Sequence, residues 1–251
     1  MAAWSRGGER LAERPAFYAL RTGGWRDYIS LLHPPYTVWH LSYVALGWAA
    51  APAAHTDRLW WALAAFFLAV GIGAHALDEL NGRPLNTRIP TPILVTLAIG
   101  SIALAGVIGI AAAERTSWWL LAFVAFGCFI VCAYNLEWFG GVFHADAWFA
   151  LAWGAFPALT ASYANALEIT PEGLLVAAGC FALSAAQRTL STPVRDLRRR
   201  IRHVEGVVER TDGTIEPLDG STLRAPAESA LRWLSLAMPL LATSAVVLRI
   251  A

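Results

Sequence analysis

Long apolar runs separated by short polar stretches fill most of this chain. Seven of them have about the length, roughly 20 residues, that a helix needs to cross about 30 Å of hydrocarbon. They cover residues 36–54, 58–80, 91–113, 117–138, 146–166, 171–192 and 227–249. Because lipid cannot satisfy a free backbone amide or carbonyl group, such runs form helices. The pattern therefore predicts an all-α polytopic membrane protein, a bundle of about seven transmembrane helices.

The polar stretches divide the chain further. Residues 1–35 carry several arginines and no early apolar core, which predicts a cytoplasmic or interfacial segment. Within it, residues 8–20 form either a short amphipathic helix on the membrane surface or a disordered tail. Helices one to six occupy residues 36–194, with a polar site at their cytoplasmic end, and the last helix occupies residues 227–251.

Residues 195–226 form an arginine-rich cytoplasmic loop between the sixth and seventh runs. Two stretches, Val207–Arg210 and Thr214–Pro217, flank Asp212-Gly213, which is a strong signal for a tight turn. We therefore predict a small cytoplasmic β-hairpin, which serves either as a lid or docking piece or as a plain connector.

Composition and charge support a membrane location and give it an orientation. With 57% hydrophobic residues, 15% charged residues and a mean hydropathy of +0.50, the chain lies outside the range of soluble domains. Every basic residue is arginine, and all but Arg58, Arg115 and Arg249 fall on one side of the predicted bundle. The positive-inside rule makes that side, with the N-terminus, cytoplasmic. We expect a multi-pass protein of the inner (cytoplasmic) membrane.

Polar residues that are unusual in a transmembrane bundle collect at its predicted cytoplasmic end. His75, Asp78 and Glu79 stand at positions i, i+3 and i+4 near the end of the second run, so they can share one helix face. Ionisable groups at membrane depth are costly and are usually functional. Helix direction brings further polar residues to the same end: His33, His40, Asn81, Tyr134, Asn135, Glu137, His144, Asp146, Gln187 and Arg188.

Histidine and carboxylate side chains from several helices are the usual components of a metal site in a bundle. The candidate ligands are His33, His40, His75, Asp78, Glu79, Glu137, His144 and Asp146. This mixture suits iron, manganese or zinc, whereas carboxylates alone would suit magnesium. Two alternatives stay open: Asp78 or Asp146 orients a ligating histidine, or each pair merely satisfies its own hydrogen bonds.

Arginines near this polar cluster are candidates for binding an anionic head group. The planar guanidinium group pairs with two oxygens of a phosphate or carboxylate at once. The candidate substrate-binding residues are Arg83, Arg88, Gln187, Arg188 and Arg195. The alternative is an ordinary positive-inside anchor, which is the interpretation we favour for the run from Arg198 to Arg202.

Five short motifs between residues 25 and 200 resemble those of a known family. They are Leu32-His33-Pro34-Pro35-Tyr36, the acidic pair Asp78-Glu79 followed by Arg83-Pro84-Leu85, Tyr134-Asn135-Leu136-Glu137, Gly154-Ala155-Phe156-Pro157 and Arg195-Asp196. Together they are similar to the UbiA superfamily of intramembrane prenyltransferases. That resemblance implies a helical bundle with a central cavity, and two aspartate-rich motifs that hold magnesium against an isoprenoid diphosphate.

The chain resembles a diverged member of that superfamily. Of the first aspartate motif only Asp78-Glu79 is present, with His75 ahead of it, and of the second only Asp196. Carried onto matching positions, the resemblance implies that the catalytic residues are Asp78, Glu79, Asn81, Tyr134 and Asn135.

Three functions follow from these patterns. The first is a metal-dependent, prenyltransferase-like membrane enzyme that acts on a lipid or isoprenoid at the cytoplasmic face. The second is a His/carboxylate oxidase or hydrolase with iron or zinc, in one form with two metal ions. The third is a non-catalytic subunit of a membrane complex, in which the hairpin docks. We expect a membrane lipid or isoprenoid as the bound partner and no nucleic acid, and leave open a membrane-protein partner or a second copy of the chain.

Overall fold

The computed structural model describes residues 14–251, and this part of the chain is mostly helical. Its α-helices are α1 (Trp25–Leu31), α2 (Pro34–Ala50), α3 (Thr56–Phe66), α4 (His75–Leu80), α5 (Thr91–Arg115), α6 (Leu120–Asn135), α7 (Trp138–Gly141, a single irregular turn), α8 (Asp146–Phe149), α9 (Phe156–Ala166), α10 (Pro171–Arg199) and α11 (Gly220–Ile250). Two π-helical segments, π1 (Phe67–Ala74) and π2 (Ala150–Ala155), join α3 to α4 and α8 to α9.

Four of these helices are long and apolar enough to cross a membrane: Thr56–Leu80, Thr91–Arg115, Pro171–Arg199 and Gly220–Ile250. Each of the seven predicted runs is helical, but α6 has only 16 residues. The fold is therefore that expected of a helical membrane protein, and the number of crossings stays a prediction.

The insert between the last two long helices is shorter than predicted. Helix α10 continues to Arg199, and α11 begins at Gly220 rather than at residue 227. The Asp219 side chain caps α11 by accepting a 2.8 Å hydrogen bond from the Thr222 amide. Hydrogen bonds from Ser221 and Thr222 also lower the pKa of Asp219 to about 2, so the cap is ionised at neutral pH.

The predicted hairpin is present. Strands β1 (Glu205–Glu209) and β2 (Ile215–Asp219) pair antiparallel, and Val207 lies opposite Pro217. Gly213 has a φ of 83° in the turn, a backbone conformation that glycine adopts without strain. A cross-strand ion pair joins Arg210 to Glu216 at 2.8 Å.

The N-terminal region differs from its prediction. Residues 8–13 of the predicted surface helix lie outside the described part of the chain, and residues 14–20 are not helical. We call residues 14–20 the strap. After it comes α1, whose buried Asp27 accepts hydrogen bonds from the Gly23 amide (2.7 Å) and the Arg88 amide (2.8 Å). Asp27 thereby ties α1 to the segment that precedes α5.

Small residues let the helices approach closely around α2 and α10. A Cβ atom on Gly47 of α2 would overlap the backbone of Ala158 in α9. A Cβ atom on Gly154 of π2 would lie 2.6 Å from the Cys180 carbonyl oxygen in α10. Contacts of this kind replace the hydrophobic driving force that helices lack in lipid.

The two π-helical segments lie beside polar residues. Segment π1 ends directly before His75, and π2 contains the buried Trp153. A π-turn is rare and is frequently found at functional sites. Both segments lie near one end of the bundle, where α2 begins and where α4, α6 and α10 end. We call this the polar end.

Candidate functional site

A cavity of about 120 Å³ lies at the polar end, and we call it the polar cavity. The strap, the start of α2, the junction of π1 and α4, and the ends of α6 and α10 contribute to its wall. Ten predicted site residues line it: His33, His40, His75, Asp78, Tyr134, Asn135, His144, Gln187, Arg188 and Arg195. The alternating directions of the helices predicted that these residues lie at one end of the bundle, and the structure places them around one cavity.

Three of the histidines are fixed by the main chain. The Nδ1 atoms of His40, His75 and His144 lie 2.9, 3.1 and 3.0 Å from the carbonyl oxygens of Trp153, Gly71 and Tyr134, respectively. An imidazole nitrogen that contacts a carbonyl oxygen must carry the proton, so in the neutral ring Nε2 is the acceptor. Each of these rings therefore offers Nε2 as its remaining polar atom.

The fourth histidine of the cavity, His33, is held by the strap. It precedes α2 with a φ of 46°, and its Nδ1 atom lies 2.9 Å from the Tyr18 hydroxyl. Its ring stacks on that of His75, with centroids 4.0 Å apart. Burial, with smaller contributions from His75 and Arg199, holds the pKa of His33 well below its usual 6.5. Burial raises the pKa of Tyr18, which keeps the phenol protonated so that it can donate to His33.

Two buried polar atoms of the cavity wall have no hydrogen-bond partner among residues 14–251. They are the hydroxyl of Tyr134 and Oε1 of Gln187, in residues that are only 5% and 3% exposed. A buried polar group without a partner costs about 1–3 kcal/mol, so such groups are rare in native proteins. The Tyr134 ring is fixed between His144 and Trp153, each at a centroid distance of 4.5 Å. Both atoms are therefore placed to bind something that enters the cavity.

Arginines of α10 make one wall positive. Arg188 pairs with Asp146 (Nε–Oδ1 2.7 Å), and its guanidinium group lies over the Phe149 ring. Arg195 donates a 3.3 Å hydrogen bond to the Thr192 hydroxyl. Among residues 14–251, Arg195 forms no salt bridge with a carboxylate, so its charge is available to a ligand.

The next turn of α10 holds the strap over the cavity. Arg199 donates to the Pro15 carbonyl (3.1 Å) and Arg198 to the Arg14 carbonyl (3.0 Å). Arg198 also forms an ion pair with Glu228 of α11. Both arginines line the polar cavity, so they do more than anchor the chain at the membrane surface.

Glu79 does not belong to this wall. Its buried carboxylate accepts hydrogen bonds from the Leu85 amide (3.0 Å), the Thr87 amide (2.8 Å) and the Thr87 hydroxyl (2.8 Å). The sequence predicted that Glu79 shares a face with His75 and Asp78, but the loop after α4 folds back and takes up its carboxylate, so Glu79 does not line the cavity with them. Glu79 therefore acts as the anchor of that loop.

Three other predicted residues also lie outside the lining of the cavity. Arg83 donates to the carbonyls of Thr87 (3.1 Å) and Ile89 (2.7 Å), so it fixes the same loop as Glu79. Arg88 is exposed, and the exposed Asn81 donates to the Asn135 carbonyl at 3.1 Å. Arg83 and Arg88, which were predicted to bind a head group, and Asn81, which was predicted to be catalytic, therefore do not line the polar cavity.

The predicted metal ligands do not gather into a metal site. Glu137 is exposed and outside the cavity lining, Asp146 pairs with Arg188, and Glu79 holds the loop. Within residues 14–251, no group of three or more histidine, cysteine, aspartate or glutamate side chains is arranged to hold a metal ion. These donors, as they stand, do not fit the iron, manganese, zinc or magnesium site that the sequence predicted.

The sequence prediction missed several residues that line the cavity. Phe17 and Tyr18 of the strap fell in the segment interpreted as a surface helix or a disordered tail, and Arg199 had been interpreted as a surface anchor. For Arg199 a signal existed: with Gln187, Ser191 and Arg195 it recurs every four residues, which is one face of a helix.

No protein-family model, curated protein or solved structure matches this chain. The resemblance to the UbiA superfamily therefore stays a prediction that rests on its motifs.

Proposed function

We propose that the chain is a membrane enzyme that binds the anionic head group of a lipid or isoprenoid in the polar cavity and acts on that group. The observation that carries this proposal is the pair of unpartnered buried atoms, the Tyr134 hydroxyl and Gln187 Oε1, in a cavity whose wall contains Arg195. The hydroxyl is a donor suited to a phosphate oxygen. Gln187 Oε1 is an acceptor suited to a hydroxyl or a protonated oxygen.

Arginine supplies the charge complementarity in this proposal. Arg195 has no carboxylate partner among the described residues, and Arg188 and Arg199 have nitrogens beyond those in their hydrogen bonds to Asp146 and Pro15. Guanidinium groups fixed in a cavity stabilise negative charge that develops on a departing group. We assign this role to the arginines because the histidines and carboxylates are not arranged as a metal site.

Proton transfer is assigned to Asp78. Its carboxylate lines the cavity and accepts no hydrogen bond from residues 14–251, and it lies within the electrostatic influence of Arg195 and Arg199. If the head group leaves as a phosphate or diphosphate, the C–O bond breaks and its electron pair goes to the phosphate oxygen. The attacking partner, a phenol, an alcohol or water, forms the new bond to that carbon through its oxygen and gives its proton to Asp78.

The membrane topology is also part of the proposal. We propose seven crossings, with the N-terminus and the polar end in the cytoplasm, because all arginines but three lie at that side of the predicted bundle. The motifs shared with the UbiA superfamily support a prenyl or related isoprenoid chain on the substrate.

Binding is tested with a charged and a neutral isoprenoid. Purified protein in mild detergent is titrated calorimetrically with farnesyl diphosphate and with farnesol. We expect the diphosphate to bind at least about tenfold more tightly, because one charge-assisted contact contributes about 1.5–3 kcal/mol. Arg195→Gln should abolish the difference, while the 83%-exposed Arg200 side chain provides Arg200→Gln as the control. Equal affinities in the wild-type protein would contradict the proposal.

Turnover is tested separately from binding. Asp78→Asn keeps the size of the side chain and removes its base, so it should bind farnesyl diphosphate normally and release no inorganic diphosphate. Release at the wild-type rate would remove Asp78 from the reaction.

A further inference from the structure

A second cavity, of about 220 Å³, lies between α3, π1, α5, α6 and α9. Most of its wall is alanine, glycine, valine, isoleucine, leucine and phenylalanine, and we call it the apolar cavity. The polar residues of its wall include Asp57, Arg58, Arg115 and Thr116, where α3 begins and α5 ends. Those positions are at the opposite end of the bundle from the polar cavity.

Within the described part of the chain, Trp153 is the one residue that lines both cavities. It is 4% exposed, and its carbonyl accepts a 2.9 Å hydrogen bond from His40. Its ring stacks on Phe149 at a centroid distance of 5.8 Å and packs against Tyr134. Two ring contacts hold this side chain between the cavities, and no other described residue lines both of them, so we treat the two cavities as separate sites.

The chemistry of the apolar cavity selects a hydrocarbon. An apolar cavity of about 150 Å³ in an engineered protein stays dry and binds benzene. The apolar cavity is larger, and unfilled space of this kind deprives its lining of dispersion contacts. In a membrane the abundant hydrocarbon is the chain of a lipid. Gly106 of α5 and Cys128 of α6 both line this cavity, and a Cβ atom on Gly106 would already contact the Cys128 sulfur at 3.7 Å, so a larger side chain at either position would occupy the space.

The charged residues at this end of the apolar cavity determine which lipid head group it can bind. Arg58 donates to the carbonyls of Ala164 (2.9 Å) and Asn165 (3.3 Å), and the exposed Arg115 donates to the Ala111 carbonyl (3.0 Å). Neither arginine forms a salt bridge with a carboxylate of residues 14–251. Asp57 is the carboxylate of this wall, so the lining keeps an excess of one positive charge.

We infer that the apolar cavity binds one acyl chain of an anionic membrane phospholipid, whose phosphate lies against Arg58 and Arg115. This site does not depend on the function proposed for the polar cavity. It receives its lipid at the opposite end of the bundle, and Trp153 separates the two ligands.

Native mass spectrometry of the full chain tests the site. Protein in mild detergent is mixed with equal amounts of phosphatidylglycerol and phosphatidylcholine. We expect one phosphatidylglycerol to be retained in about fivefold preference. Its head group has a net negative charge, whereas choline neutralises the phosphate of phosphatidylcholine, and one arginine near an anionic lipid contributes about 1 kcal/mol. Gly106→Leu fills the cavity and should abolish retention. Gly100→Leu lies on the same helix with no atom within 4 Å of its added Cβ, so it should retain the lipid. Arg115→Gln should bring the preference close to one.

Two further measurements test whether the retained lipid lies in the apolar cavity. Cys128→Phe fills the same space from α6. A phosphatidylglycerol with a diazirine in its acyl chain should label the wild-type protein within residues 57–70, 105–116 or 120–131, which line the cavity. Retention that survives both Gly106→Leu and Cys128→Phe, in variants that elute and melt like the wild type, overturns the inference. So does loss of the lipid in Arg195→Gln, which would place it in the polar cavity instead.

Discussion

The imidazole rings of His33 and His75 stack face to face, with centroids 4.0 Å apart and planes inclined by 13°. The two rings come from different elements, His33 from the residue before α2 and His75 from the start of α4. Two imidazolium ions at this distance would repel each other, so protonation of one ring opposes protonation of the other. The stack is therefore stable only while the pair is largely neutral.

This stack predicts a loss of stability in acid. The pKa of His33 in the folded chain lies well below 6.5, whereas in the unfolded chain it is ordinary. Below about pH 6.5 the unfolded chain then binds more protons than the folded one, so the free energy of unfolding falls as the pH falls. The measurement is the thermal midpoint in detergent between pH 8 and pH 5. His33→Asn, which tolerates the positive φ, should show a shallower decline.

His203 provides the control for that series, since its side chain is 63% exposed on the hairpin side of the bundle. His203→Asn should decline as steeply as the wild type. A His33→Asn protein with the wild-type slope would remove His33 from the acid response.

Tyr134→Phe should raise stability and weaken binding. The hydroxyl that it removes is buried without a partner, so its loss should stabilise the empty protein by about 1 kcal/mol. The same change should weaken binding of farnesyl diphosphate by about tenfold, because the ligand loses a donor. The thermal midpoint measures the gain in stability, and calorimetric titration measures the loss of affinity.

Tyr163→Phe is the matched control for that change. The Tyr163 hydroxyl lies 3.2 Å from the Ser117 hydroxyl, so its removal should lower stability. Tyr163 does not line the polar cavity, so binding of farnesyl diphosphate should stay intact. Lower stability in Tyr134→Phe would show that its hydroxyl has a partner in the empty protein.

Glu79→Ala should destabilise the fold by about 3 kcal/mol, since three buried donors lose a charged acceptor. We also expect residues 81–90 to become a protease-sensitive loop. Thermal midpoints and limited proteolysis measure the two effects. Glu114→Ala changes an exposed carboxylate and should leave both unchanged. A stable Glu79→Ala protein that had lost only its activity would instead favour the catalytic role predicted from sequence.

Gly47→Ala should separate α2 from α9. The added methyl group would overlap the Ala158 backbone, which no side-chain rotation relieves, and overpacking of this kind costs about 1–3 kcal/mol. Gly100→Ala faces open space and should be neutral or slightly stabilising. Equal thermal midpoints for the two variants would show that the helices separate at no cost.

The sequence could predict the polar end but not the contacts within it. Alternating helix directions suffice to bring His40, Tyr134 and Gln187 together, because each lies near the end of an apolar run. Glu79 was misplaced because the i, i+4 rule describes one helix and says nothing of a loop that folds back to donate three hydrogen bonds. The strap was missed because residues 8–20 were interpreted as a surface helix or a disordered tail, and neither interpretation places Phe17 or Tyr18 against the bundle.

The π-helical segment Phe67–Ala74 makes the helix that carries His75 sensitive to length rather than to chemistry. One residue advances an α-helical face by about 100°, and a π-turn holds an additional residue relative to an α-turn. A regular α-helix would need fewer residues than Phe67–Ala74 to bring His75 and Asp78 to the same side of the cavity. The orientation of these two side chains therefore depends on the π-turns as well as on the residues themselves. An insertion or deletion that the π-turns do not absorb would rotate both side chains away from the cavity as a unit, although every charged group would still be present.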